Sequence, residues 1–166
     1  MRRKQILVVG FNGDTCTEIA SKAAYEVGFE IARTGAVLIT GGLGGVMEAA
    51  SRGAKEAGGF VIGIIPQDNK DEANSYCDVV IATGIGYARD FVTASTADAV
   101  VVVGGGAGTL IEVSAAYQKR IPIVAVKGTG GIADRCGDGY IDDRKLERII
   151  LAESPAAAVK SAVNLG

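Results

Sequence analysis

The chain has 166 residues, of which 48% are apolar and 22% are charged, and its net charge is −2 at neutral pH. This length fits one domain spanning residues 1–166, and the charge argues against a nucleic-acid-binding surface, which requires a basic stripe. Histidine is absent, which excludes Ser-His-Asp catalysis and the usual histidine-containing zinc sites, so no metal site is expected.

Apolar runs alternate with helical patterns along the whole chain. In chain order the prediction is strand 5–10, helix 17–34, strand 37–40, helix 46–57, strand 60–65, loop 67–75, strand 78–82, a helix within 86–97, strand 99–103, helix 109–118, strand 121–126, loop 128–143 with at most one helical turn, edge strand 148–151 and helix 155–163. In the first helix, Ile19, Ala23, Val27 and Ile31 are spaced four apart and are predicted to share its buried face.

The predicted strands are apolar throughout instead of alternating with polar residues. Strands of this kind are covered on both faces, which is typical of a parallel sheet. The repeated β-α order therefore predicts an α/β, Rossmann-like, doubly wound parallel sheet of six to seven strands with helices on both faces. Ligands of such sheets bind outside the carboxyl ends of the strands.

Targeting and redox signals favour the cytoplasm. The basic start Arg2-Arg3-Lys4 precedes a strand and lacks the apolar stretch of a signal peptide, and no apolar run is long enough for a membrane span. Cys16, Cys77 and Cys136 are odd in number and far apart, as expected for reduced thiols. We predict a cytoplasmic protein with no membrane partner.

Two glycine clusters lie where an apolar strand passes into a helix. We call residues 41–45 the first glycine turn and residues 104–108 the second glycine turn. Such turns present backbone N–H groups at the positive end of a helix dipole, and they bind phosphate or carboxylate without a charged side chain. Two of them predict a nucleotide-sized anionic ligand. The predicted ligand-binding residues of the turns are Gly41, Gly42, Gly44, Gly45, Gly105, Gly106, Gly108 and Thr109.

The glycine spacing excludes two common classes of nucleotide site. No Gly-Lys-Ser/Thr follows either turn, as a Walker A loop requires, and the loop after the first strand lacks the G-x-G-x-x-G dinucleotide fingerprint. Tight helix–strand packing remains an alternative explanation for both turns. In the loop after the first strand, Asn12 is a candidate contact to a base or ribose, with Asp14 and Thr15 beside it; capping of the next helix explains these residues equally well.

An acidic stretch near the end of the chain also has two interpretations. Asp134, Asp138, Asp142 and Asp143 suggest a cation-binding loop, but the spacing fails at the third and last positions of an EF-hand. A solvated acidic loop is the favoured interpretation.

The segment 89–112 resembles the signature region of the lonely-guy phosphoribohydrolases, long mislabelled lysine decarboxylases. It reads Arg89-Asp90, Ala97-Asp98-Ala99, Gly105-Gly106-Ala107-Gly108-Thr109 and Glu112. That family has Arg-Lys, Ala-Asp-Ala and Pro-Gly-Gly-x-Gly-Thr-x-x-Glu at the same spacing. The first glycine turn and the Val-Met-Glu-Ala-Ala-Ser that follows it are similar to the molybdenum-cofactor carrier proteins and their prokaryotic relatives. Both groups belong to one Rossmann-like nucleotide-binding superfamily.

The resemblance implies two functions. One is binding of a nucleotide or a nucleotide-like ligand such as the molybdenum cofactor, with no cofactor required. The alternative is a phosphoribohydrolase that cleaves nucleoside 5′-monophosphates to base and ribose 5-phosphate, in which Arg89 and Glu112 match the family's catalytic pair. A structural ion pair between these two side chains is the competing explanation. The resemblance also implies a homodimer or higher homo-oligomer, with the helix in 88–97 packing on a partner.

Several positions depart from the family patterns. The glycines that bind the nucleotide in the family are kept while several pocket residues are changed, so the resemblance favours nucleotide binding over hydrolysis. The departures are Gly104 for proline, Ile111 for the first of two glutamates, Asp90 for lysine, Gly86-Tyr87 for Met-His and Glu48 for glycine.

Overall fold

Seven parallel strands form one sheet in the computed structural model, which describes residues 2–166. The strands are β1 (Gln5–Gly10), β2 (Val37–Thr40), β3 (Phe60–Ile65), β4 (Val79–Ala82), β5 (Ala99–Val103), β6 (Ile123–Val126) and β7 (Ile149–Ala152). The helices are α1 (Glu18–Arg33), α2 (Val46–Glu56), α3 (Arg89–Ser95), α4 (Ala107–Gln118), α5 (Gly131–Cys136) and α6 (Pro155–Leu165), with short 3-10 helices at Lys70–Glu72 and Gly86–Ala88.

The core lies on both faces of this sheet. Along β1, Ile6 and Val8 face a cluster that includes residues of α1, α2 and α6, while Leu7 and Val9 face a cluster that includes residues of α4 and α5. All four side chains are at most 2% exposed. The prediction of a single-domain, doubly wound, Rossmann-like parallel sheet is confirmed.

The strand order determines where a ligand-binding crevice can form on the sheet. The order is β4-β3-β2-β1-β5-β6-β7, so the chain builds outward from β1 in one direction and then crosses to β5 on its other side. A crevice forms outside the carboxyl ends of the strands at this reversal. The first glycine turn follows β2 and the second follows β5, so both lie at that edge.

Several local predictions need correction. Ile19 is 66% exposed, and the buried face of α1 is built from Ala20, Ala23, Ala24, Val27, Gly28 and Ile31. The offset arises because buried helix positions recur every three or four residues, and a strict spacing of four drifts off the face.

Other differences concern element ends. Helix α4 starts at Ala107 instead of 109, and β6 starts at Ile123, after Pro122, instead of 121. The glycine-rich stretch 128–143 contains the six-residue helix α5, and the predicted loop 67–75 contains a 3-10 turn. The edge strand near 148–151 is present as β7. No helix within residues 2–166 is both long and apolar enough to cross a bilayer.

Candidate functional site

A cavity of about 660 Å³ opens at the carboxyl ends of the central strands. Its floor is the end of β1, and its walls come from both glycine turns, the loop after β3 and the start of α3. Seven of the predicted site residues line it, namely Asn12, Gly41, Arg89, Gly106, Gly108, Thr109 and Glu112. The other four predicted residues, Gly42, Gly44, Gly45 and Gly105, are not among its lining residues.

The second glycine turn presents an open helix start to this cavity. No side chain of residues 2–166 caps α4, which begins immediately after Gly106. Gly106 and Gly108 are exposed. A Cβ atom added at Gly106 would meet nothing within 4 Å, and one at Gly108 would meet only Asp90 Oδ2, at 3.9 Å. Packing therefore does not require glycine at these two positions, whereas close approach of a ligand to the backbone would.

The loop between β6 and α5 holds the second glycine turn in place. The buried Gly104 N–H donates to Thr129 Oγ1 at 2.9 Å, and the Thr129 hydroxyl donates to the Val126 carbonyl at 2.7 Å. The N–H groups of Ile132 and Ala133 donate to the carbonyls of the turn at 2.9 and 3.0 Å. These contacts fix the carbonyl side of the turn and leave the start of α4 facing the cavity.

Thr109 links the second turn to the central strand. Its hydroxyl donates to the Gly10 carbonyl at 3.0 Å, and the residue is 4% exposed. The hydroxyl proton is thus used inside the protein. Thr109 can offer a ligand its backbone N–H at the first turn of α4.

The first glycine turn is instead packed against the loop that follows β1. The Val46 N–H at the start of α2 donates to the Phe11 carbonyl at 2.9 Å. Gly45 has a φ of +64°, and a Cβ atom there would overlap the same carbonyl oxygen. Gly42 has a φ of +72°, and its Cβ would overlap Ile65. Tight packing accounts for these two glycines.

A second, smaller cavity of about 370 Å³ lies on the other side of the first turn and includes Gly45. Its lining carries the carboxylates Glu18 and Glu48 with one cation, Arg52. The Val46 N–H at the start of α2 is already bonded to the Phe11 carbonyl, so it is not free to bind phosphate.

Arg89, at the start of α3, lines the wall of the large cavity. Its side chain is 9% exposed, and its Nε has no hydrogen-bond partner within residues 2–166. The guanidinium lies over Gly41, where a Cβ atom would overlap it. A side chain at position 41 would have to displace the guanidinium of Arg89 and the Sδ of Met47.

The ion contact of Arg89 is to Asp90, not to Glu112. Arg89 Nε lies 3.5 Å from Asp90 Oδ1, and within residues 2–166 no ion pair joins Arg89 to Glu112. The structural ion pair that competed with a functional interpretation of these two residues is therefore not formed.

Glu112 and Asp90 form a pair of buried carboxyl groups in the cavity wall. Glu112 is 7% exposed and Asp90 is 5% exposed. Burial is the main cause that raises the pKa of Glu112, the charge of Asp90 adds to it and Arg89 opposes both, and the net result is a pKa of about 8. Burial also raises the pKa of Asp90, again opposed by Arg89. At neutral pH Glu112 is therefore mostly protonated, and it can donate as well as accept a hydrogen bond.

The loop after β1 contributes the exposed Asn12 to the cavity rim, where its Oδ1 accepts from the Gly13 N–H at 2.9 Å. Helix α1 is capped by Thr17, whose side chain accepts from the Ala20 N–H. Asn12, Asp14 and Thr15 therefore do not cap α1, and all three line the cavity.

Three of the four aspartates in the predicted acidic loop, Asp134, Asp138 and Asp142, use their carboxylates within the protein. Asp134 accepts from the N–H groups of Gly128 and Gly130, and Asp142 accepts from Tyr117 and Arg144. Within residues 2–166 no cluster of three or more metal-ligating side chains is present.

Sequence reasoning missed three residues of the site. Asp90 was noted only as a departure from the family pattern, although its position next to Arg89 is a usable signal. Gln67 lines the cavity and has a buried Oε1 with no partner within residues 2–166. Thr129 acts through a hydrogen bond to a turn 25 residues away, which no local pattern reveals.

Comparison with known proteins agrees with this architecture. The chain is 43% identical over 127 residues to an uncharacterized protein of Archaeoglobus fulgidus, covering 76% of this chain and 82% of the relative. It is 30% identical to the cytokinin riboside 5′-monophosphate phosphoribohydrolase of Mycobacterium tuberculosis, covering 89% and 87%.

Among solved structures, the molybdenum cofactor binding protein of Rippkaea orientalis matches with a TM-score of 0.88 and 33% identity, over 99% of this chain and 98% of that one. The molybdenum cofactor carrier protein of Chlamydomonas reinhardtii matches with a TM-score of 0.84 and 35% identity, over the same shares. The model of the SLOG cluster4 family matches residues 3–159. The chain therefore belongs to the SLOG cluster4 family, within the superfamily of lonely-guy-like proteins that the sequence motifs indicate.

Proposed function

We propose that this protein binds a phosphate-bearing small molecule, a nucleotide or a nucleotide-like cofactor such as the molybdenum cofactor, in the large cavity. The observation that carries the proposal is the uncapped start of α4, where Gly106 and Gly108 open onto a cavity of about 660 Å³. A helix start of this kind offers unpaired N–H groups and a partial positive charge to phosphate. The volume is that of a small-molecule site.

The proteins described as binding or carrying the molybdenum cofactor support a cofactor ligand. They share the fold across nearly the whole chain at about one-third identity. The phosphate would rest on the second glycine turn, and the rest of the ligand would extend past Arg89 toward the loop after β3. The first glycine turn contributes Gly41 to the wall but supplies no phosphate site of its own in this proposal.

The direct test is binding by calorimetry and thermal stabilisation with inorganic phosphate, a panel of nucleoside monophosphates and the molybdenum cofactor. A ligand that binds only the folded state raises the unfolding temperature. We expect stabilisation by phosphorylated ligands and none by the corresponding nucleosides. Equal stabilisation by nucleoside and nucleotide would overturn the phosphate site.

The alternative, phosphoribohydrolase activity, is favoured by one observation. Glu112 is a buried carboxyl group that holds its proton near neutral pH beside Arg89. Cleavage of an N-glycosidic bond is assisted by an acid that protonates the leaving base and by a carboxylate that stabilises positive charge on ribose. The relative in Mycobacterium tuberculosis lends it distant support. Release of free base from a nucleoside monophosphate, abolished in both Arg89→Ala and Glu112→Gln, would establish the enzyme; binding without release would exclude it for that nucleotide.

We also propose a cytoplasmic homo-oligomer that uses the outer face of α3. Phe91 and Val92 on this helix are 58% and 41% exposed, and Tyr87 just before it is 86% exposed at the cavity mouth. Burial of such side chains against a second copy removes apolar surface from water. Phe91→Asp should shift the mass measured by light scattering to that of a monomer, whereas the exposed Ile19→Asp on α1 should leave it unchanged.

A further inference from the structure

Three ionisable side chains, Arg89, Asp90 and Glu112, line the cavity, and among them the only ion contact is the one between Arg89 and Asp90 within residues 2–166. Arg89 and Asp90 have side chains that are 9% and 7% exposed, and Glu112 is 7% exposed. Arg89 Nε has no hydrogen-bond partner within residues 2–166. For the two carboxyl groups, only burial and neighbouring charges perturb ionisation, with no contribution from a hydrogen bond within that same range.

Arg89 Nε is the unsatisfied buried atom of this group, and an atom of this kind indicates a ligand. A buried polar atom without a partner costs about 1–3 kcal/mol, so most such atoms are paired in folded proteins. Here the group is next to the proposed phosphate site, because Asp90 Oδ2 lies 3.9 Å from the position of a Cβ atom on Gly108. Glu112 lies one helical turn further along α4.

The chemistry of the group matches hydroxyls better than a second anion. Arg89 offers donors, Asp90 offers acceptors, and the protonated Glu112 offers both. The charges of Arg89 and Asp90 offset each other at 3.5 Å, so the group has little net charge. A second phosphate would face two carboxyl groups here, whereas a hydroxyl both donates and accepts and can satisfy either neighbour.

We propose that Asp90 is a specificity residue that accepts hydrogen bonds from hydroxyl groups of the phosphorylated ligand, a vicinal diol such as that of ribose. This inference rests on the proposed function, because the phosphate on the second glycine turn places the hydroxyls. Asp90 touches the ligand directly in this arrangement, and Arg89 holds its carboxylate toward the cavity.

The test compares ribose 5-phosphate with 2-deoxyribose 5-phosphate by calorimetry in the full-length protein, and repeats the comparison in Asp90→Asn. The wild type should bind the ribose compound about 10- to 100-fold more tightly, as expected for hydrogen bonds to a charged acceptor. Asp90→Asn should lower this ratio to below about threefold, mainly by weakening the binding of the ribose compound, because the deoxy compound has only one hydroxyl of the diol to lose. The matched control is Asp138→Asn, which removes an exposed carboxylate paired with Arg148, outside the residues that line the cavity.

Each result decides the inference. A wild type that does not discriminate between the two sugars overturns it, whatever the variants do. If Asp90→Asn weakens both sugars equally, the residue is structural and the inference is wrong, although the phosphate site stands. If neither sugar phosphate binds, and inorganic phosphate, the nucleoside monophosphates and the molybdenum cofactor fail to bind too, the proposed function fails as well. If Asp90→Asn unfolds, the same two affinities measured for the wild type and for Asp90→Ser test the inference instead.

Discussion

The two glycine turns look alike in sequence and differ in what surrounds them. Each follows an apolar strand and opens a helix without a side-chain cap. At the first turn, the Phe11 carbonyl accepts from the start of α2 and fills the space beside Gly45. At the second turn, Gly106 and Gly108 face open space. A glycine turn can therefore serve packing or ligand binding, and the segments of the protein that contact the turn determine which.

The difference has a simple physical basis. Both helix starts have a partial positive charge that must be satisfied by an acceptor. In the first turn a carbonyl of the same protein supplies the acceptor permanently. In the second turn the β6–α5 loop bonds only the other side of the turn through Thr129, so the acceptor has to come from outside.

Alanine substitution at one glycine of each turn tests this difference in packing most directly. Gly45→Ala should cost about 3–5 kcal/mol of unfolding free energy, because the added Cβ overlaps the Phe11 carbonyl and φ is +64°. Gly106→Ala should cost less than about 1 kcal/mol, since nothing lies within 4 Å of its Cβ. Urea unfolding measures both. Similar losses at the two positions would refute the distinction between the turns.

The second effect is the pH dependence of stability near neutral pH, to which Glu112 in the cavity beside the second turn should contribute most. The folded pKa of Glu112 is raised to about 8 from an unfolded value near 4.5, so between these values the folded state holds the extra proton. Its contribution to stability is complete below pH of about 4.5 and is lost as pH rises through about 8. The slope reaches about 1.4 kcal/mol per pH unit, or roughly 2–3 kcal/mol between pH 5.5 and 7.5.

Glu112→Gln isolates this contribution, because glutamine keeps the shape and does not titrate. Urea unfolding of the ligand-free protein at pH 5.5, 6.5 and 7.5 should show a falling stability in the wild type and a nearly flat profile in the variant. The wild type and the variant share the other charged groups beside this position, Asp90 and Arg89, so they differ only in the titration of residue 112. Parallel profiles would mean that Glu112 does not hold its proton in the fold.

The third effect separates the hydroxyl groups that hold each turn. Thr40 Oγ1 accepts from the Gly42 N–H in the first turn at 3.1 Å, and Thr129 Oγ1 accepts from the Gly104 N–H in the second at 2.9 Å. Both threonines are buried. Valine at either position should cost about 1–2 kcal/mol by leaving an N–H without its acceptor.

Ligand binding should distinguish these two variants. Thr129→Val should weaken phosphate binding measured by calorimetry, because it loosens the turn that holds the anion, and Thr129→Ser should restore it. Thr40→Val should leave binding unchanged at the same loss of stability. Equal weakening in both variants would make the first turn a partner in phosphate binding.

The sequence predicted the order of the elements well because each is encoded locally. Apolar runs such as 99–103 and glycine-terminated helical patterns need no knowledge of the fold, and the parallel sheet follows from strands that are apolar on both faces. Ile19 was misplaced because four-residue spacing only approximates a helical face. Arg89 and Glu112 could be found because a family motif joins them to the second turn.

The parts that could not be predicted depend on contacts between distant segments. The Phe11 carbonyl accepts from the first N–H of α2, and the Thr129 hydroxyl accepts from the Gly104 N–H. Asp90 supplies the second carboxyl group beside Glu112, at a place where the neighbouring Ile111 cannot supply one. None of these contacts leaves a periodic signal, because each joins residues from separate β-α units. The two glycine turns could therefore be located but not distinguished.

The smallest expected effect is also the most selective for the second turn. Gly108 lies in α4 with an ordinary helical backbone, and its Cβ would meet only Asp90 Oδ2 at 3.9 Å, an ordinary contact. Because alanine is a better helix former than glycine, Gly108→Ala should stabilise the fold by about 0.5–1 kcal/mol. The same methyl group would stand where a phosphate oxygen approaches the backbone, so binding should weaken at least about tenfold.

The matched control is Gly53→Ala in α2, whose Cβ would overlap the Tyr25 carbonyl oxygen. It should lower stability and leave the affinity of the folded protein unchanged. A gain in stability with a loss of binding at Gly108 is expected only if glycine is kept there for a ligand, so unchanged binding in Gly108→Ala would remove the second turn from the site.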